Sequence, residues 1–400
     1  MLLAPYRVLD LTGPLGYVTG RVLADLGADV VKVEPPGGDP ARRFPPTVDT
    51  ADGPQSAFWL ASNANKRSVT LDLEGAAGRE LFRRLAAKAD FILESYPPGT
   101  LGGWGLGYEE LSRLNPRLIL VSITPFGQQG PYSSFQASDL EIMALGGAMS
   151  LAGEHDGEPM RVSVPQAPMF AGVEGAMGAL TALAARARTG QGQHVDVSAQ
   201  VAVIAALAHA PAYWDLNQEN PRGTGIYVTG RTVTGARMRA FWRCRDGWIN
   251  FIIYGGEAGR KSNQQLVAWM SEKGLAPEWL RAIDWSRFEV PPLTQAQVDQ
   301  LEQPIAEFFA TITKREFYEG AMQREILGYP IATVEDIYQD PQLAARGFWQ
   351  SLPVSAGAAA VKFPGSFAIV DGERLRIRRP PPRVGEHDDE VMGPRLHAAD

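Results

Sequence analysis

Residues 6–40 read YRVLDLTGPLGYVTGRVLADLGADVVKVEPPGGDP, and the fold class follows from them. Tyr6 to Leu11 is a short apolar run that ends at Thr12-Gly13-Pro14. A helical stretch leads from there to Gly27, and a second apolar run occupies Asp29 to Val33. The pattern is strand, turn, helix, strand. It recurs: Ser68 to Leu73 is apolar, Gly78 to Ala89 has helical spacing, and Phe91 to Glu94 and Leu118 to Ile123 are again apolar. Strands alternating with amphipathic helices predict an α/β fold around a doubly wound parallel sheet.

Downstream, Leu140 to Leu151 and Ala171 to Arg188 turn to alanine, glycine and methionine, which suits close-packed helices, and Gly190 to Gln193 stops the second one. His194 to Val197 reads as a further strand, followed by an alanine-rich helix to about His209. From Pro211 to Arg239 the chain is rich in glycine, threonine and arginine without periodicity, which marks a crossing between lobes. Arg239 to Ile253 predicts a hairpin turning at Asp246-Gly247, and its aromatic residues Trp242, Trp248 and Phe251 suit a core. Asn263 to Gly274 and Gln295 to Phe317 have helical spacing. The tail from Arg378, with Pro380 to Pro382, predicts an extended segment lying across another part of the protein. The expected organisation is a large doubly wound domain over 1–209, a linker over 210–239, a small α+β domain over 240–340, and a return to the large domain over 341–400.

With 400 residues, 45% of them apolar, the chain has enough core for both lobes. One cysteine, Cys244, excludes an internal disulfide framework and fits a reducing, cytoplasmic setting. The opening ten residues lack the pattern of a signal peptide, and no run approaches the roughly 18 apolar residues of a membrane span. A net charge of −7 gives nucleic acid no overall attraction. The composition points to a small-molecule or protein partner, with no metal and no permanently bound cofactor.

The opening stretch resembles family III CoA-transferases. Further blocks agree in order: NANKRSVTLDL (63–73), ESYPPGTLGGWGLGYEEL (94–111), LILVSITPFGQQGPY (118–132), RTGQGQHVDVSAQ (188–200) and DPQLAARGFW (340–349). The resemblance covers nearly the whole chain. It implies a Rossmann-like domain and a small domain, with two chains threaded as interlocked rings. It also implies that coenzyme A thioesters are substrates and that CoA moves between carboxylic acids. In that chemistry a carboxylate attacks the donor thioester, and only an acyl-accepting acid can then hold CoA as a thioester of the protein itself.

Aligning Pro159, Arg161 and the helix near Ala171 with the family puts Pro168 where the nucleophilic aspartate stands. Proline has no carboxylate, and at a helix start it is a sound structural choice. Among substitutes, Glu174 lies in the first turns of that helix, where it also complements the helix dipole. Asp139 and Glu141 read as helix caps, and Glu154, Asp156 and Glu158, with His155, read as loop charges.

The resemblance further implies a CoA site that includes Leu15, Gly16, Lys66, Arg67, Ser95 and Tyr96, and an active-site glycine loop at Gly255-Gly256 within Tyr254 to Gly259. A hairpin connection is the other reading of that loop. This chain departs from the family's pattern at Pro35, at Glu74, at Ser95-Tyr96 and at Gly103, and an acid at Glu74 repels phosphate. Arg42, Arg43, Lys66 and Arg67 remain as phosphate partners, with a solvated basic face as the other reading.

The expected function is therefore the non-catalytic chain of a heteromeric CoA-transferase of the benzylsuccinate type, paired with an aspartate-bearing chain. A transferase using Glu174, as a homodimer or with a partner, is the alternative. An acyl-CoA racemase needs a histidine where Ser138 stands, and a dinucleotide site needs a Gly-x-Gly-x-x-Gly turn that the first strand lacks.

Overall fold

A computed structural model describes residues 1–50, 53–353, 360–365 and 367–393. The chain divides into two units, one made of Met1–Met149, Arg161–Asn220 and Pro341–Asp400, the other of Ser150–Met160 and Pro221–Asp340.

The first unit is built on a six-stranded parallel sheet. Its elements in chain order are β1 (Arg7–Leu11), α1 (Tyr17–Asp25), β2 (Asp29–Glu34), α2 (Ala57–Asn63), β3 (Arg67–Thr70), α3 (Ala76–Ala86), β4 (Phe91–Glu94), α4 (Tyr108–Leu114), β5 (Ile119–Thr124), α5 (Asp139–Leu145), α6 (Ala167–Thr189), β6 (His194–Ser198), α7 (Ala199–Ala206) and α8 (His209–Asn217). The strands lie in the order β3-β2-β1-β4-β5-β6, all pairings parallel. The order reverses between β1 and β4, the arrangement of a doubly wound nucleotide-binding sheet.

Apolar layers cover both faces of that sheet. Leu9, Ile92 and Leu120 face Phe82 of α3 and Leu111 of α4, while Val8, Phe91, Val121 and Ile123 face α1, α6 and α7. Small residues let α1 and α6 approach closely. A Cβ on Gly172 would stand 2.5 Å from Val18, and the Thr19 hydroxyl donates to the Gly172 carbonyl at 2.8 Å. By length and composition alone α6 could cross a membrane, but it carries a buried stripe of Ala171, Gly172, Gly175, Ala179 and Ala182, as a core helix does.

Several boundaries depart from the sequence reading. α6 starts at Ala167, not near Ala171, and α5 stops at Leu145 because Gly146 and Gly147 follow, the latter at φ +82°. α8 runs into the segment read as linker, with Pro211 tolerated in its first turn. The tail from Arg378 crosses the first unit: Asn65 Oδ1 accepts the Arg378 N–H at 2.6 Å, Arg42 donates to the Pro382 carbonyl at 3.0 Å, and Asp388 accepts from Thr70. Residues 394–400 of that tail lie outside the described residues.

In the second unit a three-stranded antiparallel sheet, β7 (Phe241–Cys244), β8 (Gly247–Phe251) and β9 (Gly328–Pro330), packs against α9 (Gly256–Glu272), α10 (Gln295–Phe309) and α11 (Lys314–Arg324). The hairpin turns at Arg245-Asp246, one residue before the predicted pair, because Gly247 already pairs with Cys244. The single helix expected over Gln295 to Phe317 is two helices; Thr313 and Glu316 form a capping box that starts the second. Trp242 and Phe251 are fully buried, whereas Trp248 is exposed beneath the Arg243 guanidinium.

Candidate functional site

The reversal of strand order leaves a crevice outside the carboxyl ends of β1 and β4, the place where such sheets hold ligands. There the Gly13 N–H donates to Ser95 Oγ at 2.7 Å, joining the turn after β1 to the turn after β4. A cleft of about 610 Å³ opens at this point, lined among others by Thr12, Gly13, Lys32, Asp72, Glu74, Ser95, Tyr96 and Trp104. Tyr96 and Trp104 meet edge to face with ring centres 5.3 Å apart.

Charge in the cleft is mostly negative. Glu34, Asp39, Asp72 and Glu74 line it, and Lys32 is the only cation among the described residues that do. Lys32 is buried, bonded to the Thr12 carbonyl and 3.7 Å from Asp39. Glu34 is neutralised by Arg42, which reaches both carboxylate oxygens at 2.6 and 2.7 Å and lies 4.1 Å over the Trp59 ring. Burial opposes ionisation of Glu34, yet the Arg42 bonds outweigh it and hold the carboxyl below its usual range. Arg42 is therefore committed inside the fold, and Arg43 is exposed.

Of the residues expected to hold CoA, Ser95 and Tyr96 line this cleft; Leu15, Gly16, Lys66 and Arg67 do not. Lys66 is wholly buried, with its ammonium on Asp10 Oδ2 at 2.7 Å, the Tyr17 carbonyl at 2.9 Å and Asn63 Oδ1 at 2.9 Å. All three donors are engaged. Burial draws its pKa down to about 8 despite Asp10. A side chain at position 20 would strike this pair, since a Cβ there would stand 2.3 Å from Asp10 Oδ2, and the chain has Gly20. Arg67 clasps Asp29 at 2.6 and 2.9 Å and Glu390 at 2.9 Å. Gly16 precedes the first turn of α1, and Leu15 packs on the core.

Pro168 is buried at the second position of α6. Asp139 Oδ1 accepts the Gln166 and Ala167 N–H groups at 2.7 and 2.8 Å, and the Met169 N–H turns back to the Gln166 carbonyl at 2.9 Å. Thus Asp139 caps α6 and not its own helix, α5, where Ser138 and Glu141 form the capping box. Glu174 is half-buried on α6 and lines a second cleft of about 500 Å³ with His194, Asp196 and Ser198. Glu154, Asp156 and Glu158 are exposed.

Gly255-Gly256 does not form a loop of the expected length. Gly255 caps α9, Gly256 begins it at φ +73°, and Gly259 lies inside it, where a Cβ would meet Tyr254 at 2.2 Å. Asn263 pins Tyr254 by bonds to its backbone N–H and carbonyl. The two glycines border a small cleft of about 260 Å³ with Arg231, Tyr254 and Glu289.

Sequence reasoning missed a buried polar row at the ends of β4 and β5. Glu94 accepts the Tyr96 N–H at 2.8 Å and is the register partner of Ser122, whose Oγ lies 2.9 Å from His194 Nε2. Burial pushes the Glu94 carboxyl up to about 7. The signal was present as a glutamate ending FILE and a serine inside the apolar run LILVSIT.

A model of CoA-transferase family III matches residues 3–388. The chain is 36% identical over 395 residues to succinyl-CoA:(R)-benzylsuccinate CoA-transferase subunit BbsE of Thauera aromatica, covering 97% of this chain and 92% of that one. It is 41% identical over 343 residues to the succinyl-CoA–D-citramalate CoA-transferase of Chloroflexus aurantiacus, covering 85% and 81%. Among solved structures, a CAIB/BAIF family protein from Brucella suis superimposes with a TM-score of 0.83 at 31% identity, covering 96% of this chain and 97% of that one.

Proposed function

The chain belongs to CoA-transferase family III, and from that premise we propose that it is the non-nucleophilic chain of a heteromeric enzyme that moves CoA between carboxylic acids. Its partner is an aspartate-bearing chain of the same family, threaded with it as interlocked rings, and CoA thioesters are the substrates.

Pro168 carries the reading. The family's chemistry needs a carboxylate at that helix start, and here a proline stands there with the neighbouring N–H groups already bonded by Asp139. The charge of the crevice supports it as well, because a cleft lined by Asp39, Asp72 and Glu74 with one buried lysine is a poor host for the phosphates of CoA. A partner chain is supported by the apolar side chains that α6, α7 and α8 expose: Val173 (56%), Met177 (55%), Val201 (60%) and Leu216 (81%). The Thauera relative is by its name a subunit.

A second reading keeps the chain active through Glu174, favoured by its position in a cleft with His194 and Asp196. Intact mass separates the two. The purified chain is incubated with a panel of acyl-CoAs, alone and with an aspartate-bearing family III chain. No adduct alone, with transfer restored by the partner, is the expected result; an adduct mapping to Glu174 overturns it.

A further inference from the structure

We propose that residues 382–390 form an acid-released strap, which closes the open edge of the sheet at β3 and braces one wall of the cleft, with neutral His387 as its latch. The strap belongs to the fold and does not depend on whether this chain is the nucleophilic one.

β3 is the outermost strand on its side of the sheet, with β2 as its one strand neighbour. An edge of that kind presents backbone groups to any passing chain. Here the tail meets them. The Ser68 N–H donates to His387 Nδ1 at 3.3 Å, and the His387 N–H donates to the Ser68 carbonyl at 2.9 Å. The Thr70 N–H and hydroxyl donate to the two oxygens of Asp388 at 2.8 and 2.7 Å, and Arg67 donates to Glu390 at 2.9 Å. The same segment reaches the cleft. The Gly385 N–H donates to Ser68 Oγ at 3.0 Å, and Ser68 Oγ donates to Glu34 at 2.5 Å. The Pro382 carbonyl accepts from Arg42, the guanidinium that neutralises Glu34. Position 38, between the cleft-lining residues Pro36 and Asp39, has no room for a side chain, since a Cβ on Gly38 would stand 2.6 Å from Val384. One serine and one arginine therefore tie the strap to a carboxylate of the cleft wall.

The His387 contact is the one that mild acid breaks, because histidine ordinarily changes charge between pH 5 and 8. Nδ1 accepts the Ser68 N–H only while the ring is neutral and carries its proton on Nε2. An imidazolium has two donors and would turn an N–H toward an N–H. Among the described residues, the charged groups facing the ring are Glu386, Glu390 and Arg379 on the tail and Arg67 on β3. The two glutamates favour the imidazolium and the two arginines oppose it. Burial is the largest influence and opposes it too, so the latched ring has its pKa below the ordinary 6.5. The released tail thus binds the proton more tightly than the latched one. Latching is complete above 6.5 and weakens as the pH falls below it.

The test is amide hydrogen exchange of the full chain at pH 5 and pH 8, read by mass spectrometry over Ser68 and Thr70 and corrected for the intrinsic rate at each pH. The expected result is protection up to about thirtyfold lower at pH 5 than at pH 8. That is the limit for a ring that titrates at 6.5 once released and stays neutral while latched. His387→Asn keeps an acceptor near the place of Nδ1, and His387→Ala removes it. Neither residue titrates, so each variant should show equal protection at the two pH values, with the alanine variant the less protected. Wild-type protection that does not change between pH 5 and pH 8 overturns the proposal. So does a fall of the wild-type size in either variant.

Discussion

Asp139 caps a helix that begins 28 residues after it: its Oδ1 accepts the Ala167 N–H at 2.8 Å. The same oxygen accepts the Gln166 N–H at 2.7 Å, so a carboxylate already sits at the amino end of α6. A negative charge here stabilises the helix both by satisfying free donors and by opposing the macrodipole. Asp139→Ala is expected to lower stability by about 1–2 kcal/mol, and Asp139→Asn by less, in urea unfolding. No loss in the asparagine variant would mean that the charge contributes nothing, and equal losses in the two would mean that the neutral acceptor does.

The Asp10–Lys66 pair sets a second expectation. Both side chains are fully buried, and burial opposes ionisation of Asp10, yet Lys66 and Lys32 outweigh it and hold its carboxyl below the usual range. Removing one partner strands the other, so Lys66→Met is expected to cost about 3–5 kcal/mol. The double variant Asp10→Leu with Lys66→Met removes both charges and should recover much of that loss. A Lys66→Met loss below about 1 kcal/mol would mean that Lys66 is not a structural cation.

These two contacts also mark how far the sequence could be read. Strand and helix alternation is a local periodicity, and β1, α1, β2, β4 and β6 fall close to where it puts them. Lys66 looked available for phosphate because Asp10 is 56 residues away, and Arg67 because Asp29 is 38 residues away. Only the parallel register brings them together. Asp139 looked like the cap of its own helix because capping is normally read from adjacent residues. The glycines at 255, 256 and 259 suggested a loop, but one of them is required by the side chain of Tyr254 and not by a ligand. Tertiary packing decided each of these, and spacing does not encode it.

Glu74 is exposed at the mouth of the cleft, and Asp72 stands beside it. Replacing that acid by a base should turn a repelled phosphate into an attracted one. Glu74→Lys is expected to tighten CoA binding by roughly three- to tenfold at low ionic strength, with the gain disappearing at about 1 M salt. Titration calorimetry at both salt concentrations measures it. An unchanged affinity at low salt would mean that phosphate does not approach this rim.

Glu94 makes the stability of the fold depend on pH. Burial raises its carboxyl from 4.5 to about 7, so between those values the folded chain holds a proton that the unfolded chain has released. Stability from this group is complete below pH 4.5 and is lost as the pH rises through 7. The full effect is on the order of 3 kcal/mol. His194 acts in the opposite sense, because burial lowers its pKa and the unfolded chain binds more protons near 6.5. It is present in both proteins of the comparison, so the difference between wild type and Glu94→Gln isolates the carboxyl. Urea unfolding at intervals from pH 5 to 8 should find Glu94→Gln gaining on the wild type as the pH rises, most steeply between pH 5 and about 7 and levelling off above that. Parallel curves would mean that Glu94 is already ionised in the folded protein at pH 5, and that burial does not control its proton.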